Sequence, residues 1–353
     1  MVGADGALPL PWIAAPLRSA LASLRAHAVL IHGPQGVGQF ELAITLAQAW
    51  LCEAAPAASR PCGTCASCRL VQARSHPDLL VLLPEALREP LGWAVSDDAE
   101  AADADKAGKR KPSKDIRVDE VRLAIGFAQT TSSRGQGKVV VLHPAERMNA
   151  VSANALLKTL EEPPGDSRLL LSCAAPDALP PTIRSRCQAL PLALPDTRVA
   201  CDWLAARSVA QPEVLLGAAG GQPQDALQWA ADGITASVWT ALPQQLASGE
   251  VGGLAAWPLP RLVEMLQKLC HDMMRVASGA PPRYFPAASL PKPSPLAGLT
   301  SWAKELARVA RHAEHPWNAG LLVESLVENA RQALAARPPA VRAARGVSVH
   351  STE

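Results

Sequence analysis

Long apolar runs are missing from this sequence, and aromatic side chains are scarce. No stretch approaches the roughly 18 uninterrupted apolar residues that a membrane-spanning helix needs. Residues 1–12 lack both a positively charged start and a continuous apolar core, so we expect no secretory signal and a cytoplasmic protein. A net charge of +2 and an aromatic content of 4% give no broad nucleic-acid surface, so any DNA contact must be local or shared with partners.

A glycine-rich segment has the spacing of a phosphate-binding loop but lacks the residues that perform its chemistry. Its spacing is held by Gly33, Gly36 and Gly38. An apolar strand pattern (28–31) precedes the loop and a helical pattern (41–47) follows it. In working loops a lysine contacts the terminal phosphates and a hydroxyl binds Mg²⁺, but these positions are Gln39 and Phe40 here. We expect no ATP hydrolysis and no ATP binding; a chance glycine-rich turn is the alternative.

The acidic residues of a working ATPase are missing as well. In such enzymes a buried strand ends in carboxylates that hold Mg²⁺ and orient the attacking water. Here the apolar strand pattern 139–142 ends in His143 and Pro144. Since each loss disables the same reaction independently, their combination favours a nucleotide site that has lost catalysis.

Half of the cysteines fall into one cluster with the spacing C-x9-C-x2-C-x2-C. Its members are Cys52, Cys62, Cys65 and Cys68. Each C-x2-C step brings two thiolates toward one point, and four thiolates complete a closed tetrahedral Zn²⁺ site with no open position for catalysis. We therefore predict a structural zinc ion. An iron–sulfur cluster and four unliganded thiols are the alternatives.

Apolar strands alternate with helical patterns up to residue 194, which predicts an α/β fold with a parallel sheet covered on both faces. Strands are predicted at 28–31, 78–83, 139–142, 168–173 and 188–194, with a further strand edge at 116–121 leading into a helix that runs to 128. A helix is predicted at 151–162, where two prolines end it. The segment 96–115 is acidic and then basic, which predicts a surface loop whose basic half could touch DNA.

The remainder of the chain is predicted to be helical. Amphipathic helices are expected at 259–277, around 302–309 and at 321–334. The proline-rich stretch 280–295 predicts an extended linker, and 337–353 a disordered tail.

Four features, taken in chain order, resemble the bacterial clamp-loader subunits of the AAA+ family. They are the glycine loop, the cysteine cluster, the segment 154–164 and Ser185-Arg186-Cys187. The resemblance covers about residues 10–335 and implies a nucleotide-binding-like AAA+ domain at 1–194, with an inserted zinc module at 52–68 and a disordered insertion at 96–115. It further implies a small helical lid at 195–240 and an all-helical collar domain for oligomerisation at 241–336.

Within that family, the gamma and tau subunits that hydrolyse ATP keep the lysine, the hydroxyl and the acids. This sequence departs at each position, and it has Gln224 where active subunits carry an arginine that senses the γ-phosphate. The resemblance therefore implies a subunit without ATPase activity, in a ring with gamma/tau and delta, that helps place the sliding clamp on primer–template DNA as part of a DNA polymerase holoenzyme, a nucleotidyltransferase.

The resemblance also implies a role for Arg186, as an arginine finger that reaches ATP bound by an adjacent subunit; a pair with a local carboxylate is the alternative. Two other functions stay open at this point. One is an independent zinc-containing nucleic-acid-binding protein, and the other is an active ATPase of the same family.

Overall fold

The computed structural model describes residues 1–54, 60–93, 112–292, 294–311 and 319–335. They fall into two compact units, one with residues 1–203 and 222–225, the other with residues 204–221 and those from 226 onward. Most of the charged segment predicted at 96–115 lies outside the described residues, and so does the tail predicted at 337–353. No described helix is both long and apolar enough to cross a membrane.

The first unit is built on a five-stranded parallel sheet, as the alternating pattern predicted. The strands are β1 (Ala28–His32), β2 (Leu79–Leu82), β3 (Lys138–Leu142), β4 (Ser167–Cys173) and β5 (Gln188–Pro191). Their order across the sheet is β2-β3-β4-β1-β5, with every neighbouring pair parallel. Apolar side chains fill the strands because both faces are covered.

Helices cover the two faces of this sheet. They are α1 (Ala14–Ser23), α2 (Gln39–Leu51), α3 (Ala66–Gln72), α4 (Glu85–Arg88), α5 (Val118–Gln129), α6 (Ala150–Glu161) and α7 (Pro181–Arg184). α2 packs on β1, β3 and β4, and all of its residues except Glu41 and Trp50 are buried. Alternate residues of β1, β3 and β4 form a separate core with α5 and α6.

Two strand predictions differ from the structure. The strand edge predicted at 116–121 is reduced to a single bridge between Ile116 and Met148. Helix α5 already begins at Val118, because the Glu120 carboxylate accepts a hydrogen bond from the backbone N–H of Arg117 (2.7 Å) and closes the first turn. The strand predicted at 188–194 ends at Pro191.

The second unit is helical, and its helices enclose a core of their own. The remaining helices in the described part of the chain are α8 (Thr197–Ala205), α9 (Pro212–Ala218), α10 (Pro223–Ala231), α11 (Ala236–Ser248), α12 (Leu259–Ala277), α13 (Leu296–Ala310) and α14 (Ala319–Leu334). All but the last two residues of α8, and the first three residues of α10, belong to the first unit. α12 has the predicted bounds, and α13 and α14 match the other two predicted helices. Trp239 lies at the centre of this core, with its ring stacked on Phe285 at 4.4 Å between centroids.

Residues 280–292 of the proline-rich stretch form an ordered loop, where the sequence predicted an extended linker. The fully buried carboxylate of Asp272 accepts hydrogen bonds from three consecutive backbone N–H groups, those of Arg283, Tyr284 and Phe285, at 2.7 to 2.9 Å. A short 3-10 turn, Ala287–Ser289, follows. The sequence could not reveal this arrangement, because the acid lies within a helix pattern eleven or more residues before its donors.

Candidate functional site

The glycine loop and the end of β3 lie at the same edge of the sheet. Because all strands are parallel, their carboxyl ends meet there, at the place where α/β proteins bind ligands. The loop connects β1 to α2, and only β4 separates β1 from β3. The four residues for which the sequence predicts a loss of catalysis, Gln39, Phe40, His143 and Pro144, thereby lie at one edge of the sheet.

Gln39 folds into the loop instead of reaching out of it. Its Nε2 donates hydrogen bonds to the carbonyl oxygens of Gly33 (2.7 Å) and Pro34 (2.6 Å), and the residue is 5% exposed. A neutral amide therefore braces the loop where a lysine would extend to phosphate.

Other protein groups cover the loop from outside. Gly38 has φ 97°, in the left-handed region, and a Cβ there would lie 2.2 Å from Leu10 Cδ1. The carbonyl of Leu192 approaches Gly33 so closely that a Cβ would lie 2.0 Å from its oxygen. Trp12 Nε1 donates to the carbonyl of Val37 (2.8 Å). The glycines thus admit close packing by the chain itself.

Two carboxylates lie beside the same loop. Gln224, at the position of the phosphate-sensing arginine, donates from its backbone N–H to Gly36 O (3.2 Å) and from Nε2 to Glu41 Oε1 (2.6 Å). The next residue, Asp225, places Oδ1 2.7 Å from where a Gly36 Cβ would stand. Negative charge at this position repels phosphate.

Phe40 and His143, which the sequence predicts to replace Mg²⁺-binding groups, have their rings in contact. The centroids are 5.0 Å apart, and Trp93 adds an edge contact to Phe40 at 6.5 Å. His143 Nδ1 lies 3.0 Å from Ser172 Oγ. Burial lowers the pKa of His143 to about 4, so the imidazole is neutral at pH 7 and packs as an aromatic side chain.

One carboxylate near the end of β3, that of Glu146, was not predicted from the sequence. Glu146 follows the strand by four residues, and its Oε1 accepts a hydrogen bond from the backbone N–H of Ala174 (2.9 Å), just beyond β4. This contact ties the ends of β3 and β4 together.

The four clustered cysteines converge as their spacing predicted, at a point between α2 and β2. All four Sγ atoms lie within 4.8 Å of one another, and two Sγ pairs, Cys52 with Cys65 and Cys62 with Cys68, are 3.9 Å apart. Tetrahedral thiolates with metal–sulfur bonds of about 2.3 Å have sulfur separations of about 3.8 Å. The cluster therefore has the dimensions to hold one metal ion.

Backbone N–H groups also point at these sulfurs. The N–H groups of Ala54, Cys65 and Cys68 donate to Cys52, Cys62 and Cys65 respectively, at 3.3 to 3.5 Å. The backbone of Thr64, and next that of Cys65, lower the pKa of Cys62 to about 6, which favours its thiolate. Burial raises the pKa values of Cys52 and Cys68, which a cation at the cluster would offset.

Arg186 lies just after α7, paired within its own chain. Its Nε donates to Glu161 Oε1 (2.6 Å) and its Nη1 to the carbonyl of Thr182 (2.9 Å). The side chain is 34% exposed, and Glu161 is 49% exposed. Both side chains of the pair are accessible to solvent, so replacing Glu161 by another anion as the partner of Arg186 would cost little free energy.

A buried ion pair at the opposite end of the strands was not predicted. Asp78 accepts hydrogen bonds from the backbone N–H groups of Ser133 (2.8 Å) and Arg134 (2.9 Å), and Lys138 Nζ lies 3.2 Å from it. Burial opposes ionisation, yet these donors lower the pKa of Asp78 overall. His76 packs beside this pair, with the N–H of Asp78 donating to its Nδ1 (3.0 Å).

Comparison of the sequence with known proteins shows the family to which this chain is similar. Residues 14–196 match the family described as "DNA polymerase III, delta subunit". The chain is 38% identical over 253 residues to DNA polymerase III subunit delta' of Pseudomonas aeruginosa, covering 68% of this chain and 69% of that one.

Two relatives from Escherichia coli were also matched. The chain is 33% identical over 224 residues to subunit delta', covering 62% of this chain and 59% of that protein. It is 33% identical over 161 residues to subunit tau, covering 46% of this chain and 20% of that protein. These alignments span only part of each relative.

Proposed function

The chain belongs to the DNA polymerase III delta subunit family, and from this premise we propose that it is the delta prime subunit of a clamp loader that neither binds nor hydrolyses ATP. In that role it assists an ATP-driven ring of related subunits in opening the sliding clamp and loading it onto DNA. We propose that this chain contributes Arg186 to a neighbouring subunit's ATP site and otherwise acts as a rigid structural subunit.

The closed glycine loop is the observation that carries this proposal. Gln39 is hydrogen bonded to the loop's own carbonyls, and Phe40 packs on His143 where Mg²⁺ would be held. A nucleotide would have to displace both contacts and tolerate Glu41 and Asp225 beside its phosphates. The residues at these positions, Gln39, Phe40 and His143, offer neither a cation for phosphate nor a carboxylate for Mg²⁺, so the lost contacts would not be compensated.

Zinc is the metal we assign to the cysteine cluster. Four thiolates with tetrahedral separations fit Zn²⁺, and small turn residues between them suit a compact knuckle. The knuckle connects α2 to β2, so the metal would stabilise the connection without taking part in chemistry. The same thiolate set also suits iron, which elemental analysis distinguishes.

The partners we propose are the gamma/tau and delta subunits, with the clamp and primer–template DNA reached through the assembly. The similarity to a tau subunit supports a shared ancestry with the subunits that hydrolyse ATP. In the assembly, we propose that the exposed Arg186 leaves Glu161 and contacts ATP held by a neighbouring subunit. The AAA+ domain, lid and collar at 1–194, 195–240 and 241–336 remain our proposed division for this role.

Nucleotide binding tests the proposal directly. Titration of the full chain with a fluorescent ATP analogue should give no saturable signal up to millimolar concentrations, with an active tau subunit as the positive control. The variant Gln39→Lys with Phe40→Thr should still show no turnover, because His143 and Pro144 supply no carboxylate. Turnover by the natural protein that Gln39→Ala removes would refute the proposal.

A further inference from the structure

The second unit carries a surface on which positive charge is concentrated, although the chain as a whole is nearly neutral. We define the basic face as Arg261, Lys268 and Arg275 on α12, together with Arg283 on the loop that follows. The three helix residues are spaced by seven, so they lie on one side of α12 at intervals of about 10 Å. Asp272 anchors the loop through the backbone N–H of Arg283, which places the fourth cation beside the helix.

Three of these cations lie over aromatic rings. Arg261 and Lys268 lie over the ring of Trp229, at 4.6 and 4.3 Å from its centroid. Lys268 and Arg283 also lie over Tyr284, at 5.4 and 5.3 Å. Tyr284 is half-buried, and it is the only tyrosine in the chain. A partly exposed ring beside cations is the combination that single-stranded nucleic acids use for stacking and backbone contact.

The acids near this face are already engaged. Glu264 contacts both Lys268 (2.7 Å) and Arg261 (3.7 Å), and Asp272 is buried against backbone donors and His271. Asp232 lines the same cavity as Arg261 and reduces the positive charge at that end. The uncompensated charge is therefore greatest at the other end, around Arg275 and Arg283.

Arginines on the neighbouring helices are arranged differently. Arg308 on α13 and Arg331 on α14 each form a bidentate pair with a glutamate three residues earlier, Glu305 and Glu328. Among the described residues, Arg275 and Arg283 have no carboxylate partner; Arg275 Nε donates to the carbonyl of Pro281 (2.7 Å). Guanidinium groups left with free donors match phosphate geometry.

We propose that the basic face binds the phosphodiester backbone of a nucleic-acid strand. Arg275 and Arg283 contact phosphates, and Tyr284 provides a ring for a base or sugar. This goes beyond the proposed function, which routes DNA contact through the assembly, and it does not depend on the nucleotide site.

The single tyrosine permits a direct test on the full chain. Protein labelled with 3-fluorotyrosine carries one fluorine signal, at Tyr284. Titration with single-stranded oligothymidylate in low salt should shift this signal and give a measurable Kd, and a duplex of equal length distinguishes strand from double helix. Replacing two phosphate contacts with Arg275→Gln and Arg283→Gln should weaken binding roughly tenfold and reduce the salt slope by about 1.4.

The matched control is Arg308→Gln with Arg331→Gln, which removes the same charge from paired arginines outside the basic face. Its affinity should stay within about twofold of the natural protein. Equal weakening by both double variants would overturn the assignment, because it would indicate a general charge effect. No fluorine shift with either nucleic acid would overturn it too, as would equally tight binding of polyglutamate.

Discussion

The rings of Phe40 and His143, two residues that the sequence predicts to replace Mg²⁺-binding groups, are in contact, with their centroids 5.0 Å apart. One residue comes from the first turn of α2 and the other directly follows β3, so the contact joins the two elements that would otherwise flank the nucleotide. Phe40 and His143, which look unrelated in the sequence, therefore pack against each other in the structure. Restoring either residue alone would break this contact without rebuilding a metal site.

His143 makes stability depend on pH, with a sign that can be worked out. Burial lowers its pKa from 6.5 to about 4 in the folded chain. Above pH 6.5 both states are neutral there and the full stability is present; as pH falls from 6.5 toward 4, only the unfolded chain binds the proton. At pH 5 this group alone should have removed about 2 kcal/mol.

Urea denaturation at pH 7 and pH 5 measures that loss. His143→Leu keeps an apolar contact with Phe40 but cannot titrate, so its difference between the two pH values should be smaller than that of the natural protein by the same amount. All other titrating groups are common to both proteins and cancel. An identical pH dependence in the two would show that His143 does not contribute.

The cysteine cluster should contain one zinc ion per chain. Cys52→Ser should leave the metal substoichiometric and lower the unfolding midpoint, because metal binding in so small a site is largely folding energy. Cys270→Ser is the matched control: it alters a buried thiol in the second unit, which donates to the carbonyl of Leu299. Elemental analysis of both variants and the parent decides the matter, and stoichiometric iron in the parent would contradict the assignment.

Asp78 should be among the most costly single positions in the first unit. Asp78→Asn leaves the Lys138 ammonium, 7% exposed, without its counter-charge, and breaking a buried pair costs about 3 to 5 kcal/mol. Asp119→Asn, which removes an acid from an exposed pair with Arg122, should cost less than about 0.5 kcal/mol. Chemical denaturation measures both changes.

The double variant Asp78→Asn with Lys138→Met separates the pair from the loop contacts. It removes the stranded charge, so it should be more stable than Asp78→Asn alone. If the double variant is no better, the cost comes from the backbone donors of Ser133 and Arg134.

The features that the sequence could predict depend on short-range patterns. β3 and α12 are uniform enough in apolar spacing that their bounds differ by at most one residue from those expected, and the cysteines were spaced closely enough to converge. The missed features join residues far apart in the chain. Lys138 pairs with Asp78 across 60 positions, and Gln224 bonds to Glu41 across 183. No local pattern encodes either contact.

The nucleotide site illustrates the same limit within one loop. The sequence predicts that Gln39 and Phe40 do not support catalysis, yet it does not tell whether they leave an open pocket or a closed one. That depends on where the side chains point, and Gln39 turns back to Gly33 and Pro34. Which residues are absent can be read from the sequence, but what replaces their contacts requires the structure.

Arg186 provides the last prediction, which concerns catalysis in a neighbouring subunit. In the single chain it is paired with Glu161, but both side chains are exposed, and such pairs contribute at most about 1 kcal/mol. Arg186→Ala should therefore hardly change the unfolding midpoint. Phosphoryl transfer concentrates negative charge on the transferred group, and an arginine supplied by another chain can accelerate the step by roughly 10³ to 10⁵. In an assembled loader we expect Arg186→Ala to leave assembly intact while ATPase activity stimulated by DNA and clamp falls.

Arg184→Ala is the matched control, because Arg184 lies two residues earlier and pairs with Asp177 (2.7 Å) in the same manner. Glu161→Gln completes the set: it frees Arg186 without removing it, so activity should be retained. If Glu161→Gln lowers the ATPase rate as much as Arg186→Ala, the ion pair within the chain is what matters, and the role in trans is refuted.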